Sequence, residues 1–276
     1  MEANGDGARI RPRGDRLPAA ARVLAGQGGE ARLRRRGDDP GDHAGEWGFD
    51  RCEYFHAELD ESFPIEDTQA FAAGSDKMVI VAFRGTEPKK IKDWLSDTNT
   101  LAAPGPAGKG LVHLGFSRAL DSIYPRVRDA VQRFRNDDQS LWFTGHSLGG
   151  ALAMLASARI FFEDPQLLPD GVYTFGQPRT CDRLLAGPYN EALAARVFRF
   201  VNNNDVVPQL PPEPVFHHVD DVRYFDSSGK LHEKITFTAG LTDKFKGFTG
   251  DAFAPAADGI RDHMIDRYVE LIQKNF

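Results

Sequence analysis

Between Leu141 and Phe162 the chain reads as strand, tight turn and helix, with no residues to spare between them. Leu141-Trp142-Phe143-Thr144 is a short apolar strand. It runs straight into Gly145-His146-Ser147-Leu148-Gly149. From Leu148 an apolar helix carries Ala151, Leu152, Met154, Leu155 and Ile160. A serine at the apex of so abrupt a turn must adopt a strained backbone conformation. Bulky Cβ groups two positions to either side would collide with neighbouring backbone, so Gly145 and Gly149 suit the geometry. The turn predicts that Ser147 Oγ stands open at the C-terminal edge of a sheet. Beside it lie the unsatisfied N–H groups and positive dipole end of a helix.

The flanking pattern supplies such a sheet. Thr68 to Ala73 and Lys77 to Phe83 read as two strands joined at Gly74-Ser75-Asp76, and Glu53 to Leu59 as another. Val79-Ile80-Val81 is a continuous apolar run, as expected of a strand covered on both faces. Val172 to Phe175 and Val197 to Val201 read as two more buried strands, and Val222 to Phe225 with Leu231 to Ile235 predict a hairpin across Ser227-Ser228-Gly229. Helices are expected over Phe116 to Phe134, kinked at Pro125, and over Asp262 to Lys274, where Ile265, Tyr268, Val269 and Ile272 form one stripe. The stretch holding Pro104, Gly105, Pro106, Gly108 and Gly110 reads as a loop. Strands alternating with helices imply an α/β domain with a mostly parallel sheet and helices on its faces. A length of 276 residues suits one such domain, assigned to residues 49–276.

Residues 1–48 are different. The first 40 hold nine arginines, no lysine and six acidic residues, while the rest of the chain is acidic and brings the total to −6. Gly and Ala are abundant there and aromatics nearly absent, which predicts a disordered or loosely packed segment rather than a working basic arm. A helix from Ala19 to Arg36 would be interrupted by Gly26, Gly28 and Gly29. The acidic balance disfavours nucleic acid as a partner. No run approaches the ~18 apolar residues of a membrane span. No apolar stretch follows Arg9, Arg11, Arg13 and Arg16, as a secretory signal peptide would require. The expectation is a soluble chain, cytoplasmic or exported by an unrecognised route. Cys52 and Cys181 fit no metal spacing and leave open two thiols or one long-range bridge.

A nucleophilic serine needs a base, and the base an orienting acid. After a turn of this kind the chain order is Ser, then Asp or Glu, then His. Four histidines follow Ser147: His217, His218, His232 and His263. The first three fall at or within strands. His263 lies in a loop opening the last helix, where a base can reach the sheet edge, so it is the favoured base. Asp205 is the favoured acid, since it lies just past the strand ending at Val201 and hence on the same edge as Ser147. Asp220 and Asp221 are alternatives, Asp182 a weaker one, and Asp205 could instead only cap a turn. His146 adjoins the serine but its side chain should point elsewhere, in a supporting role.

Taken together, these residues and others resemble the class 3 lipases, the fungal-lipase-like branch of the α/β-hydrolases. Val81-Ala82-Phe83-Arg84-Gly85-Thr86 is similar to that family's strand and oxyanion turn, and Ile91-Lys92-Asp93-Trp94-Leu95-Ser96-Asp97 to its lid helix. Val112-His113-Leu114-Gly115-Phe116, Phe175-Gly176-Gln177-Pro178-Arg179, Asp205-Val206-Val207-Pro208 and Asp262-His263 resemble further family blocks, in family order. The resemblance implies an α/β-hydrolase fold with a short helical lid, and Ser147, Asp205 and His263 as nucleophile, acid and base. It implies an oxyanion hole from the N–H groups of Thr86 and Leu148, with the Thr86 hydroxyl as an extra donor, and structural roles for Arg84, Gly176 and Pro178. Residues 1–48 match the family's first helix poorly.

On a helix from Lys89 to Asp97, Ile91, Trp94 and Leu95 share one face. Such a segment covers an apolar cleft in water and lies down on lipid, so it is expected to gate Ser147. Phe237, Leu241, Phe245, Phe248 and Phe253 are candidates for an acyl pocket, or simply core. His217 and His218 with Asp220 and Asp221 make a poor chelate, because neighbours along a strand face opposite ways, so no metal and no cofactor is expected. The expected activity is triacylglycerol hydrolysis at a lipid–water interface. Phospholipase A1 or a short-chain carboxylesterase is the nearest rival, and a noncatalytic α/β-hydrolase-like binding module the rival of another class. Oligomeric state is left open.

Overall fold

In a computed structural model of the chain, residues 45, 48–58, 67–85, 101–136, 139–193, 195–219, 221–233 and 257–276 are described. The basic segment 1–44, Thr86, the gating residues Ile91, Trp94 and Leu95, the aromatic group from Phe237 to Phe253, and Asp220 lie outside the described residues.

The strands are β1 (Arg51–Glu58), β2 (Asp67–Gly74), β3 (Met78–Phe83), β4 (Ala102–Pro104), β5 (Leu111–His113), β6 (Ser140–His146), β7 (Gly171–Phe175), β8 (Val197–Asn202), β9 (Val222–Phe225) and β10 (Leu231–His232). The helices are α1 (Leu114–Phe134), α2 (Leu148–Glu163), α3 (Arg183–Leu193), α4 (Ala257–His263) and α5 (Ile265–Asn275). Eight strands form one sheet in the order β1-β2-β3-β6-β7-β8-β9-β10. The run β3-β6-β7-β8-β9 is parallel, and β1, β2 and β10 pair antiparallel at its margins. Parallel neighbours carry their C-terminal ends to one edge, where loops gather residues from distant parts of the sequence.

Alternation along each strand divides the core in two. Val79, Val81 and Phe83 of β3, with Leu141 and Phe143 of β6, face α1 and α2. The intervening Ile80, Ala82 and Trp142 join Tyr173, Phe198, Phe200 and Phe225 on the other face, which Tyr268 and Ile272 of α5 cover. Helix α2 is buried over nearly its whole length, and its Gly149, Gly150, Ala151, Ala153, Ala156 and Ala158 let it lie close to the sheet. Each large apolar side chain buried this way stabilises by about 1.5–3 kcal/mol.

Several elements refine or correct the expectations. Pro125 lies within the 21 residues of α1. It lies on the exposed side with Asp121, so the carbonyl it leaves without a donor faces water. The stretch around Pro104 to Gly110 is flanked by a short antiparallel pair, β4 with β5. The last helix is two helices, broken at extended Met264 (φ −60°, ψ 135°), so His263 ends α4 rather than sitting in a loop. Helix α3 had no sequence expectation. Cys52 and Cys181 are both thiols rather than a bridge. Cys181 forms isolated bridges to Val112 and to His217, joining β5 to the segment before β9.

Candidate active site

Strand β6 hands the chain to α2 through Ser147 alone, whose backbone is at φ 57° and ψ −127°. A non-glycine residue with positive φ stores strain, here held by its surroundings. Ser147 N–H donates to the Phe175 carbonyl at 2.9 Å, and the Ser147 carbonyl accepts from Gly150 at 2.9 Å. A Cβ at Gly145 would lie 2.1 Å from the Gly149 carbonyl oxygen, and one at Gly149 would lie 2.1 Å from that of Phe83. Both positions therefore exclude side chains, as the turn predicts. Gly85, at the end of β3, packs as tightly: its Cβ would meet the His146 carbonyl oxygen at 2.6 Å. Leu148 opens α2, and its N–H has no acceptor within the helix.

The acid loop follows β8. Asn203 takes φ 34°, and the chain turns so that Asp205 is buried. Both carboxylate oxygens accept from His263 Nδ1 at 2.9 Å. Oδ1 also accepts from Val207 N–H at 3.0 Å, and Oδ2 from the Tyr268 hydroxyl at 2.5 Å. A carboxylate facing Nδ1 accepts only, so the ring proton resides there and Nε2 keeps its lone pair. His263 Nε2 is buried and makes no hydrogen bond among the described residues.

The Ser147 backbone shares the strand edge with this pair, while no hydrogen bond links its Oγ to His263 Nε2. The Phe175 carbonyl that holds its N–H precedes Gly176, and a Cβ on Gly176 would lie 2.8 Å from Asp205 Oδ2 and 2.8 Å from His263 Nδ1. Gly176 has φ +58°, so both conformation and space demand glycine. The structural role implied for Gly176 is thus a close approach to Asp205 and His263.

Each rival among the described residues is engaged elsewhere. Asp182 accepts from Leu185 N–H at 3.0 Å and caps α3. Asp221 pairs with Arg223. His217 faces the Pro214 carbonyl at 2.8 Å, His218 the Pro208 carbonyl at 2.6 Å, and His232 faces Asp226 at 2.7 Å.

Further residues brace the group. Tyr268 hydroxyl accepts from Asn202 N–H at 3.0 Å while donating to Asp205. Burial, and then the Asp205 charge, hold its pKa well above 10. The Asp262 carboxylate accepts from the Asn203 side chain at 3.2 Å and Asn204 N–H at 3.3 Å, and its carbonyl accepts from the Asn202 side chain at 2.8 Å. Arg179 donates to the Gln209 and Pro211 carbonyls. His146 Nε2 meets the His263 carbonyl oxygen at 2.7 Å. The sequence placed Tyr268 only on an apolar stripe. A phenol rather than Phe on a buried face needs a polar partner, and that was the available signal.

The family model described as lipase (class 3) matches residues 80–215, a span that holds Ser147 and Asp205 and stops before His263. A lipase from Rhizomucor miehei is 32% identical over 155 residues, covering 54% of this chain and 42% of the relative. A secreted mono- and diacylglycerol lipase from Fusarium solani is 29% identical over 164 residues, covering 58% and 47%. The chain thus spans less than half the length of these curated relatives. Among solved structures, lipase II from Rhizopus niveus superposes with a TM-score of 0.66 at 22% identity, over 91% of this chain and 92% of that one. The fold is that of the α/β-hydrolases, and residues 80–215 match the class 3 lipase family.

Proposed function

We propose that the chain is a serine carboxylic-ester hydrolase that cleaves acylglycerols through an acyl-enzyme on Ser147. The observation that carries this reading is the fully buried Asp205–His263 pair, held against Gly176 beside the strained serine turn. Ser147 Oγ attacks the ester carbonyl and His263 Nε2 takes its proton. Asp205 fixes the tautomer and steadies the imidazolium. The Leu148 N–H, at the positive end of α2, stabilises the tetrahedral oxyanion. Thr86 is next in sequence to Gly85, which packs on the turn, and is proposed as the second donor. The imidazolium gives its proton to the leaving alcohol, and water then releases the acid by the same steps. No cofactor enters.

The acylglycerol substrate is supported by relatives named as a triacylglycerol lipase in Arabidopsis thaliana and a mono- and diacylglycerol lipase in Fusarium solani. Among the described residues no helix is long and apolar enough to cross a membrane. A fluorophosphonate probe should label the protein and fail to label Ser147→Ala. Native protein that stays unlabelled would favour a binding module instead. Esters of rising chain length, run beside a phospholipid, should show preference for long-chain acylglycerols. Preference for the phospholipid would make the protein a phospholipase A1, and a short-chain optimum an esterase. Gating by Ile91, Trp94 and Leu95 remains a sequence-based proposal. A smooth saturation curve through the ester solubility limit would remove it.

A further inference from the structure

The residue before the serine is in contact with the base. Helix α4 ends at His263, whose carbonyl belongs to a last turn that lacks intrahelical donors. Met264 N–H turns back to Arg261 at 3.2 Å, leaving the His263 carbonyl to be met from elsewhere. His146 Nε2 meets it at 2.7 Å. A carbonyl only accepts, so Nε2 carries the proton and donates. The two imidazoles also lie face to face, centroids 4.5 Å apart and planes tilted by 33°. Tyr268 closes the far side of the His146 ring at 5.7 Å, edge on.

From this geometry we infer that His146 is a positioning residue, fixing the distance between His263 and Ser147 by donating to the His263 carbonyl. The inference rests on the reading of Ser147 and His263 as nucleophile and base. Its strength lies in connectivity. His146 and Ser147 share a peptide bond, and that peptide's carbonyl is locked against Gly85. Strand β7 holds His146 opposite Phe175 in register. Nucleophile and base, 116 positions apart in sequence, are thereby referenced to one another through a single side chain rather than around the sheet. Burial first, and the neighbouring His263 second, hold the His146 pKa well below 6.5. The ring therefore stays a neutral donor and presents no like charge when His263 takes up a proton.

The test compares His146→Phe, which keeps a ring but has no donor, with His146→Gln, whose amide nitrogen reaches about as far as Nε2. Initial rates on a soluble p-nitrophenyl ester and fluorophosphonate labelling rates are read beside Tm. His146→Phe should lower kcat and the labelling rate by about 10–100-fold, with KM within about twofold, since a misplacement near 1 Å costs on that order. His146→Gln should restore at least about tenfold of the loss. A His146→Phe protein with native kcat overturns the inference, and so does a His146→Gln protein as impaired as His146→Phe. Should His146→Phe not fold, His146→Asn against His146→Gln decides. The shorter Asn amide falls short of the carbonyl, so equal rates overturn the inference and a slower Asn variant supports it. Wild-type protein that neither turns over ester nor takes the probe overturns the hydrolase reading, and this inference with it.

Discussion

One face of the sheet gives Val79, Val81, Leu141, Phe143 and Val172 to α1 and α2, whose contact residues are mostly Ala, Leu, Val and Ile. The opposite face is aromatic: Trp142, Tyr173 and Phe198 form one stack, and Phe175, Phe200 and Phe225 another, with centroids 4.9–5.8 Å apart, under Tyr268 and Ile272. Gly and Ala let α2 seat close to the sheet, and α2 carries Ser147 at its head. Broad rings bury area under α5, and α5 sends the Tyr268 hydroxyl to Asp205. Ser147 is thus referenced to the aliphatic layer, and Asp205 and His263 to the aromatic layer. Among the described residues the two meet at the sheet edge, where Gly176 and His146 join them.

Substitutions on the two sides should separate stability from turnover. The largest effect is expected at the junction. Asp205→Asn should lower kcat by about 10⁴-fold in ester hydrolysis, because an amide stabilises the wrong His263 tautomer. Activity within tenfold of native would move the acid to another residue. On the aliphatic layer, Leu152→Ala should cost about 2–5 kcal/mol in urea unfolding while leaving kcat per folded molecule unchanged. Tyr268→Phe, on the aromatic side, should cost about 1–2 kcal/mol and lower kcat by about tenfold, since it removes a donor to Asp205 and an acceptor for Asn202 N–H. A kcat change from Leu152→Ala as large as that from Tyr268→Phe would erase the distinction.

The smallest effect concerns acid. Burial, then the Arg199 and Arg179 charges, lower the pKa of His218 well below 6.5. As pH falls through 6.5 the unfolded chain takes up a proton that the folded chain does not. Stability from this group is therefore full above 6.5 and declines below it, by up to about 1.4 kcal/mol per pH unit. His146 acts in the same direction. His218→Gln should flatten the fall in stability between neutral and acid pH, as measured by urea midpoints. An unchanged slope would show that His218 protonates equally in both states.

What the sequence disclosed follows from how many residues share each signal. The strands β3, β6, β7 and β8 and helix α2 are rich in apolar residues, and the glycines around Ser147 have one geometric reason to be there. Helix α3 escaped notice because Gly187 and Pro188 sit inside it, a pairing that reads as a turn. Strands β4 and β5 are three residues each, too short for a period. The break at Met264 has no Gly or Pro to mark it; tertiary contact at the His263 carbonyl accompanies it. The strained turn at Ser147 and the pairing of Asp205 with His263 could be anticipated because each residue terminates or follows a recognisable element. The bonds of Tyr268, Asp262 and His146 could not, since they depend on which ends of the fold meet.

Cys181 gives the molecule a built-in clock. It has no exposed surface, and burial, then Asp182, push its thiol far above the ordinary range, so reagents that attack thiolates find no target at this position in the folded protein. Because it links β5 to the segment before β9, its labelling rate times the parting of those two segments, while half-buried Cys52 on edge strand β1 supplies an internal reference.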